Sequence, residues 1–157
     1  MTSRQEKIIK KRREWLLRQE KRRKGKLLRL RKFIPKWAKG DVDSEQLCLA
    51  RFTLRSRMAV GMRRSLNLGK HSSRCFKWET LVGYTVEDLR KQFEQQFTEG
   101  MTWENFMRGE IHIDHKIPHV KFKFTKAEDK EFRICWSLNN LQPLWAKDNL
   151  RKGCRVA

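Results

Sequence analysis

The sequence predicts an α+β fold that is mostly helical, and three observations carry that prediction. Apolar residues recur at helical spacing between helix caps through most of the chain. Only two short segments, 111–113 and 141–145, read as strand, and both lie near the C-terminus. The first 39 residues hold 17 Lys and Arg against 3 Glu, a net charge of +14 out of +20 for the 157-residue chain. That quarter is too charged for a core and too rich in good helix formers for a coil, so it predicts a basic helical arm.

Each element has its own local cause. Residues 5–30 are dominated by Lys, Arg, Glu, Gln and Leu, interrupted only by Gly25 before Pro35, and predict one long helix or two short ones. Its apolar residues fall in two clumps, Ile8 to Leu17 and Leu27 to Leu30, so no heptad stripe is sustained and a coiled coil is disfavoured. Ser44 is the expected N-cap of a second helix through Leu47, Phe52, Leu54 and Met58 towards Leu66, with Asn67 and Gly69 as stop signals. This helix also carries Arg51, Arg55, Arg57, Arg63 and Arg64, for which solvated and nucleic-acid-facing readings stand equally. Residues 71–77 read as a polar loop.

Thr85 and Asp88 predict a capping box for a helix in which Leu89, Phe93 and Phe97 recur every four residues and face a core, closed by Gly100. Trp103 and Phe106 are expected to pack beside it. Ile111 and Ile113 alternate around His112 and predict a short strand running into Asp114, His115 and Pro118. Thr125 with Glu128 predicts a second capping box, for a helix through Phe132, Ile134 and Trp136. Residues 141–145 form the second strand, interrupted by Pro143, and 146–152 a final short helix ended by Gly153.

Composition bounds the function. A net charge of +20 implies a polyanionic partner. No stretch has the roughly 20 apolar residues of a membrane span, and no apolar segment follows the basic N-terminus as in a signal peptide, so a cytoplasmic protein without membrane contact is expected. The four cysteines, Cys48, Cys75, Cys135 and Cys154, form no C-x-x-C pair. They read as reduced thiols, and no structural zinc is expected.

The specific signal is a set of three segments in order: Ile-His-Ile-Asp114-His115-Lys-Ile-Pro118, then Ser137-Leu-Asn-Asn140-Leu-Gln-Pro-Leu144, then Asn149-Leu-Arg-Lys152. Together they resemble the HNH motif of His-Me finger nucleases over about residues 110–154. More loosely, 81–103 resembles the segment that precedes this motif in small phage-type and mobile-element HNH endonucleases. The resemblance implies a C-terminal ββα-metal finger, so the expected organisation is 1–39 basic arm, 40–109 helical segment packed on the nuclease core, and 110–157 nuclease motif.

It also implies roles. His115 matches the general base, and a neutral imidazole with an ordinary pKa near 6.5 suits proton abstraction from water at neutral pH. Asp114 and Asn149 match the ligands of one divalent cation, Mg²⁺ with Mn²⁺ or another as substitute, which keeps its other positions for water and phosphate. Asn140 matches the Asn that ties the loop and helps orient the base. Adjacent strand residues point to opposite faces, so Asp114 and His115 can share one phosphate only if the strand breaks or twists there.

Phosphate contacts on double-stranded DNA are expected from Lys116, Lys147, Arg151, Lys152 and Arg155 around the motif, and from Arg12, Arg13, Arg22 and Arg23 on the arm. His112 shares a strand face with Asp114 and reads as a phosphate contact or as packing. His71 and His119 read as surface loop residues. The implied activity is metal-dependent hydrolysis of DNA, leaving 5′-phosphate ends. A non-catalytic nucleic-acid-binding protein built on the same finger and a nuclease toxin are the rival readings. Two departures from the wider family stand out: the zinc-binding C-x-x-C pairs of some members and the Gly-Gly pair after the Pro of others are both missing.

Overall fold

The computed structural model describes residues 3–32, 34–68 and 77–156. Gly69, Cys75, the loop at 71–77 apart from Lys77, and with it His71, lie outside the described residues, as does the side chain of Arg23. The fold is α+β and mostly helical, with one small antiparallel sheet near the C-terminus. The chain falls into two compact units, Met1–Glu45 and Gln46–Ala157.

In the first unit, α1 (Ser3–Arg31) is a single helix, and Gly25 sits inside it without a break. A helical glycine costs about 1 kcal/mol against alanine, too little to split a run of good helix formers. Ile8, Ile9, Trp15, Leu16, Leu17 and Leu28 are all more than half exposed, as their clumped spacing requires. After Pro35 the chain turns, and Glu45 ties the turn together. Its carboxylate accepts from Arg31 Nε at 3.2 Å and Nη2 at 2.9 Å and from the Gly40 N–H at 3.1 Å, and these bonds, Gly40 first, hold its pKa below the ordinary range.

The next helix, α2 (Val42–Ser65), starts two residues before the expected cap. Asp41 is the N-cap, because its carboxylate accepts the Ser44 N–H at 3.1 Å while its carbonyl takes the first helical bond from Glu45. The short helix α3 (Trp78–Val82) follows. α4 (Val86–Gln96) opens with the Thr85 and Asp88 capping box, both reciprocal bonds present. It stops at Gln96, so Phe97 is its extended C-cap and Gly100 belongs to the turn beyond, at φ +77°. α5 (Trp103–Arg108) is capped by the Thr102 side chain.

β1 (Ile111–His115) and β2 (Leu141–Trp145) pair antiparallel, with Asp114 opposite Gln142 and His115 opposite Leu141. Each strand has a free edge, which is where a Pro143 without an N–H is tolerated. Between them, α6 (Lys130–Cys135) has Asp129 at its N-cap position with no side-chain cap bond, and the box expected at Thr125 and Glu128 does not open it. The Asp129 carboxylate accepts the N–H groups of Thr125 and Lys126 at 2.8 and 3.0 Å, fixing the preceding turn instead of a Thr-led cap. α7 (Ala146–Lys152) follows β2 directly.

One core joins these elements. Leu54, Met58 and Met62 of α2 meet Trp78, Leu89, Phe93, Phe106, Ile111, Phe132, Trp136 and Leu141, all at most 4% exposed. Phe93, Phe97, Trp103 and Phe106 interlock edge to face or tilted, with centroids 5.1 to 6.5 Å apart, the geometry aromatic quadrupoles prefer. Residues from Leu54 to Phe106 and the strand pair therefore share one hydrophobic interior, and α2 stands behind the strands.

Candidate active site

The strand pair sets the site, because each residue of β1 inherits a fixed partner. Asn140 closes the entry to β2. Its Oδ1 accepts the Ile117 N–H at 2.8 Å, while its Nδ2 donates to Ile117 O at 3.2 Å and to Cys135 O at 2.8 Å. With the backbone bond from Lys116 N to Asn140 O at 2.8 Å, these clamp the loop that leaves His115 against the turn that enters β2. Asn140 is 6% exposed and bonds through both its Oδ1 and its Nδ2, so its side chain ties the loop.

His115 packs edge-on to Trp136, with ring centroids 4.6 Å apart, and also faces His119 at 6.5 Å. Trp136 is itself fixed: its Nε1 donates to Ser65 Oγ at 3.2 Å and its carbonyl accepts the Tyr84 hydroxyl at 2.6 Å. Burial pushes the His115 imidazole down to about 4; Asp114 opposes this, and His119 and Lys152 add to it. The ring is therefore neutral near pH 7, and its Nε2 is buried with no protein partner. His119 is not the surface residue expected: it is partly buried, meets Phe124 edge to face with centroids 5.0 Å apart, and has a second buried, unpartnered Nε2.

α7 lays two side chains, three residues apart, onto two β1 residues, two apart. Asn149 Nδ2 donates to His112 Nδ1 at 3.0 Å, and Lys152 Nζ meets Asp114 Oδ2 at 2.7 Å. Burial, and after it the charge of Arg57, holds the His112 pKa below its ordinary value, so the ring is a neutral acceptor at Nδ1. Gln142, opposite Asp114 in the sheet, donates to the same Oδ2 at 2.8 Å, and Lys152 Nζ also donates to His115 O.

A cleft of about 330 Å³ collects these groups. It is lined by His112, Ile113 and His115 of β1 and Asn149 of α7, by Trp136, and by Arg57, Gly61 and Gly109. β1 runs unbroken to His115, so the twist that would turn Asp114 and His115 to one face is not present. The structure brings His115, His112 and Asn149 to one cleft and sets Asp114 against Lys152 and Gln142 beside it.

Asp114 and Asn149 carry oxygens of the type that a hard divalent cation takes. Both side-chain bonds to Asp114 fall on Oδ2, and the Asn149 bond uses its Nδ2, so Asp114 Oδ1 and Asn149 Oδ1 take no part in them. One carboxylate and one neutral amide on the same strand–helix junction are a sparse donor set of the kind that leaves Mg²⁺ most of its water. Among the described residues no group of three or more His, Cys, Asp and Glu side chains gathers, and this pair does not need one.

The expected phosphate contacts divide. Lys147, Arg151 and Arg155 are exposed at the end of the finger and Lys116 is partly buried in the loop, but Lys152 is taken up by Asp114. Arg151 pairs with Asp148 at 2.8 Å, and Arg155 Nε caps the Lys152 carbonyl at 3.1 Å. Arg12, Arg13 and Arg22 are exposed on α1. Of the α2 arginines, Arg51 and Arg55 pair with Glu87 and Glu79. Arg57 instead donates to Ile111 O at 3.0 Å and Phe106 O at 2.7 Å, lies over the Phe106 ring, and presents a cation to the cleft. Gln142, Trp136 and Gly61 went unmarked in the sequence. For Gln142 the signal was the strand register, which places it across from Asp114.

No family model matches the chain, and no solved structure matches it. It is similar to uncharacterized protein L426 of Acanthamoeba polyphaga mimivirus, at 35% identity over 81 residues. That stretch is 51% of this chain and 34% of the relative, so the match spans about a third of the relative's length. Among the described residues no helix is long and apolar enough to cross a membrane.

Proposed function

We propose that this protein is a metal-dependent endonuclease that hydrolyses phosphodiester bonds of double-stranded DNA and leaves 5′-phosphate ends. The observation that carries the reading is the cleft in which a neutral His115, with a buried and unpartnered Nε2, meets Asn149, His112 and Arg57. The resemblance of 110–154 to the HNH motif supports it, as does a net charge of +20.

His115 takes the proton from the attacking water. Trp136 holds its ring in place and keeps bulk water off one side, while burial keeps it unprotonated near pH 7. Asn140 holds the backbone on either side of that ring. Asp114 Oδ1 and Asn149 Oδ1 would hold a divalent cation, which when bound supplies charge to the phosphoryl and leaving oxygens. Arg57 offers the cleft a fixed guanidinium for the non-bridging oxygens, held by two backbone carbonyls so that little reorganisation is needed. The basic side chains of α1 and α7 neutralise flanking phosphates.

The test is cleavage of supercoiled plasmid with Mg²⁺, with chelator, and by His115→Ala. Loss of a general base lowers rates by about 10² to 10⁴ while DNA affinity stays. A His115→Ala protein that cut at the wild-type rate would overturn the assignment. A wild-type protein that bound DNA and never cut it would make the finger a binding scaffold.

A further inference from the structure

The ion pair between Lys152 and Asp114 is enclosed to a degree that no other pair among the described residues matches: the two side chains are 10% and 9% exposed. The ammonium is 2.7 Å from Oδ2 and also donates to the His115 carbonyl, so it spans the two residues that the proposed chemistry needs most. A buried pair of this kind contributes little net stability, because desolvating both ions offsets their attraction. Its position says more than its strength does. The acidic side chain at the proposed cation site already carries a cation, and that cation belongs to the protein.

We infer that Lys152 is a built-in counter-cation at the Asp114 site, which weakens the binding of a divalent ion there until the ammonium withdraws. The inference rests on the reading of Asp114 as a cation ligand. In the metal-free protein Lys152 neutralises the carboxylate and lowers its affinity for any incoming cation, because two like charges would share one carboxylate at a few ångströms. The ammonium has somewhere to go. Lys152 also lines a cavity of about 430 Å³ with Gln142, Leu144, Asp148, Arg151 and Arg155, in which three of the six side chains are basic. A phosphate there would hold the withdrawn ammonium, and the four-carbon stem of lysine gives it the reach to move. Lys152 is thus a positioning residue that trades one anion for another.

The experiment is Mn²⁺ binding to the full chain without nucleic acid, read by electron paramagnetic resonance of the free ion, with the Mn²⁺-induced change in Tm as second readout. Lys152→Met and Lys152→Gln should bind Mn²⁺ about tenfold more tightly than wild type, or better, and gain more in Tm from it. Lys152→Arg, which keeps the charge, should stay as weak as wild type. Lys152→Gln can still donate to Asp114 and serves if Lys152→Met fails to fold. Equal or weaker binding in the neutral variants would overturn the inference, and so would tight binding in Lys152→Arg. Asp114→Asn should abolish the site; if it bound Mn²⁺ as wild type does, the reading of Asp114 as a ligand would itself fall, and the inference with it.

Discussion

The indole of Trp136 lies so close to Gly61 that a Cβ built on the glycine would come within 2.7 Å of Trp136 Cη2. The contact joins the C-terminal part of α2 to the ring against which His115 rests, so a helix far from the motif in sequence supports that imidazole.

Gly61→Ala therefore sets two effects against each other. In an open helix the change stabilises by about 1 kcal/mol. Here the new methyl meets a ring that is 4% exposed and tethered through Nε1 to Ser65, and overpacking of this kind costs about 1–3 kcal/mol. The clash wins. Tm should fall, and the single-turnover cleavage rate should fall further than the loss of folded protein accounts for, because the His115 ring must follow Trp136. A Tm above wild type would show that the indole moves aside freely.

Asn140→Ala should act through the loop. It leaves the Ile117 N–H and the carbonyls of Ile117 and Cys135 without their side-chain partner in a buried place, at a cost of roughly 3 kcal/mol. Urea denaturation should show that loss, with lower cleavage and near wild-type Mn²⁺ affinity. Asn140→Asp should be no better, since its second oxygen would face two carbonyls where Nδ2 now donates. A large drop in Mn²⁺ affinity with stability intact would place Asn140 on the cation instead.

What was legible in the sequence follows from how local each cause is. The Thr85 and Asp88 box spans four residues and reads directly, as do the alternation at Ile111 to Ile113 and the Asn140 signature. The box expected at Thr125 and Glu128 obeys the same pattern, yet the Thr125 N–H goes to Asp129, which also takes the Lys126 N–H. The helices at 78–82 and 103–108 are one or two turns long, too short for a period to appear. Arg57 and Gly61 reach the site from 50 residues or more before His115, a juxtaposition made by the core and by nothing local. Lys152 was legible as a basic residue near the motif. That it would turn inward to Asp114 depends on α7 following β2 without a linker.

Cysteine reactivity tests the burial of the core directly. Burial pushes the Cys135 thiol up to about 12, while Cys154 is exposed near the end of the chain. At pH 8 the thiolate fraction of Cys135 is on the order of 10⁻⁴, and the thiolate is the reactive form. Iodoacetamide on the native protein, followed by peptide mass spectrometry, should label Cys154 and spare Cys135 until denaturant is added. Each added pH unit should raise the Cys135 rate about tenfold yet leave it slow. Labelling of Cys135 as fast as Cys154 at pH 8 would mean that the interior beneath Asn140 opens readily.

The arm makes a prediction in salt. Residues 1–39 hold +14 of the +20 net charge and none of the motif, and Arg12, Arg13 and Arg22 are exposed on α1. Each phosphate a side chain neutralises releases counterions and adds about 0.9 to the magnitude of the slope of log K against log salt. Replacing all three with glutamine keeps a good helix former at every position, so α1 should persist by circular dichroism. If all three contact DNA, the slope measured with chelator should fall by about 2.7, with weaker binding at low salt and little change at high salt. The single-turnover rate at saturating DNA should stay near wild type, because none of the three belongs to the motif. An unchanged slope would assign these charges to solvent or to a different partner, and a collapse of the saturating rate would tie the arm to catalysis itself.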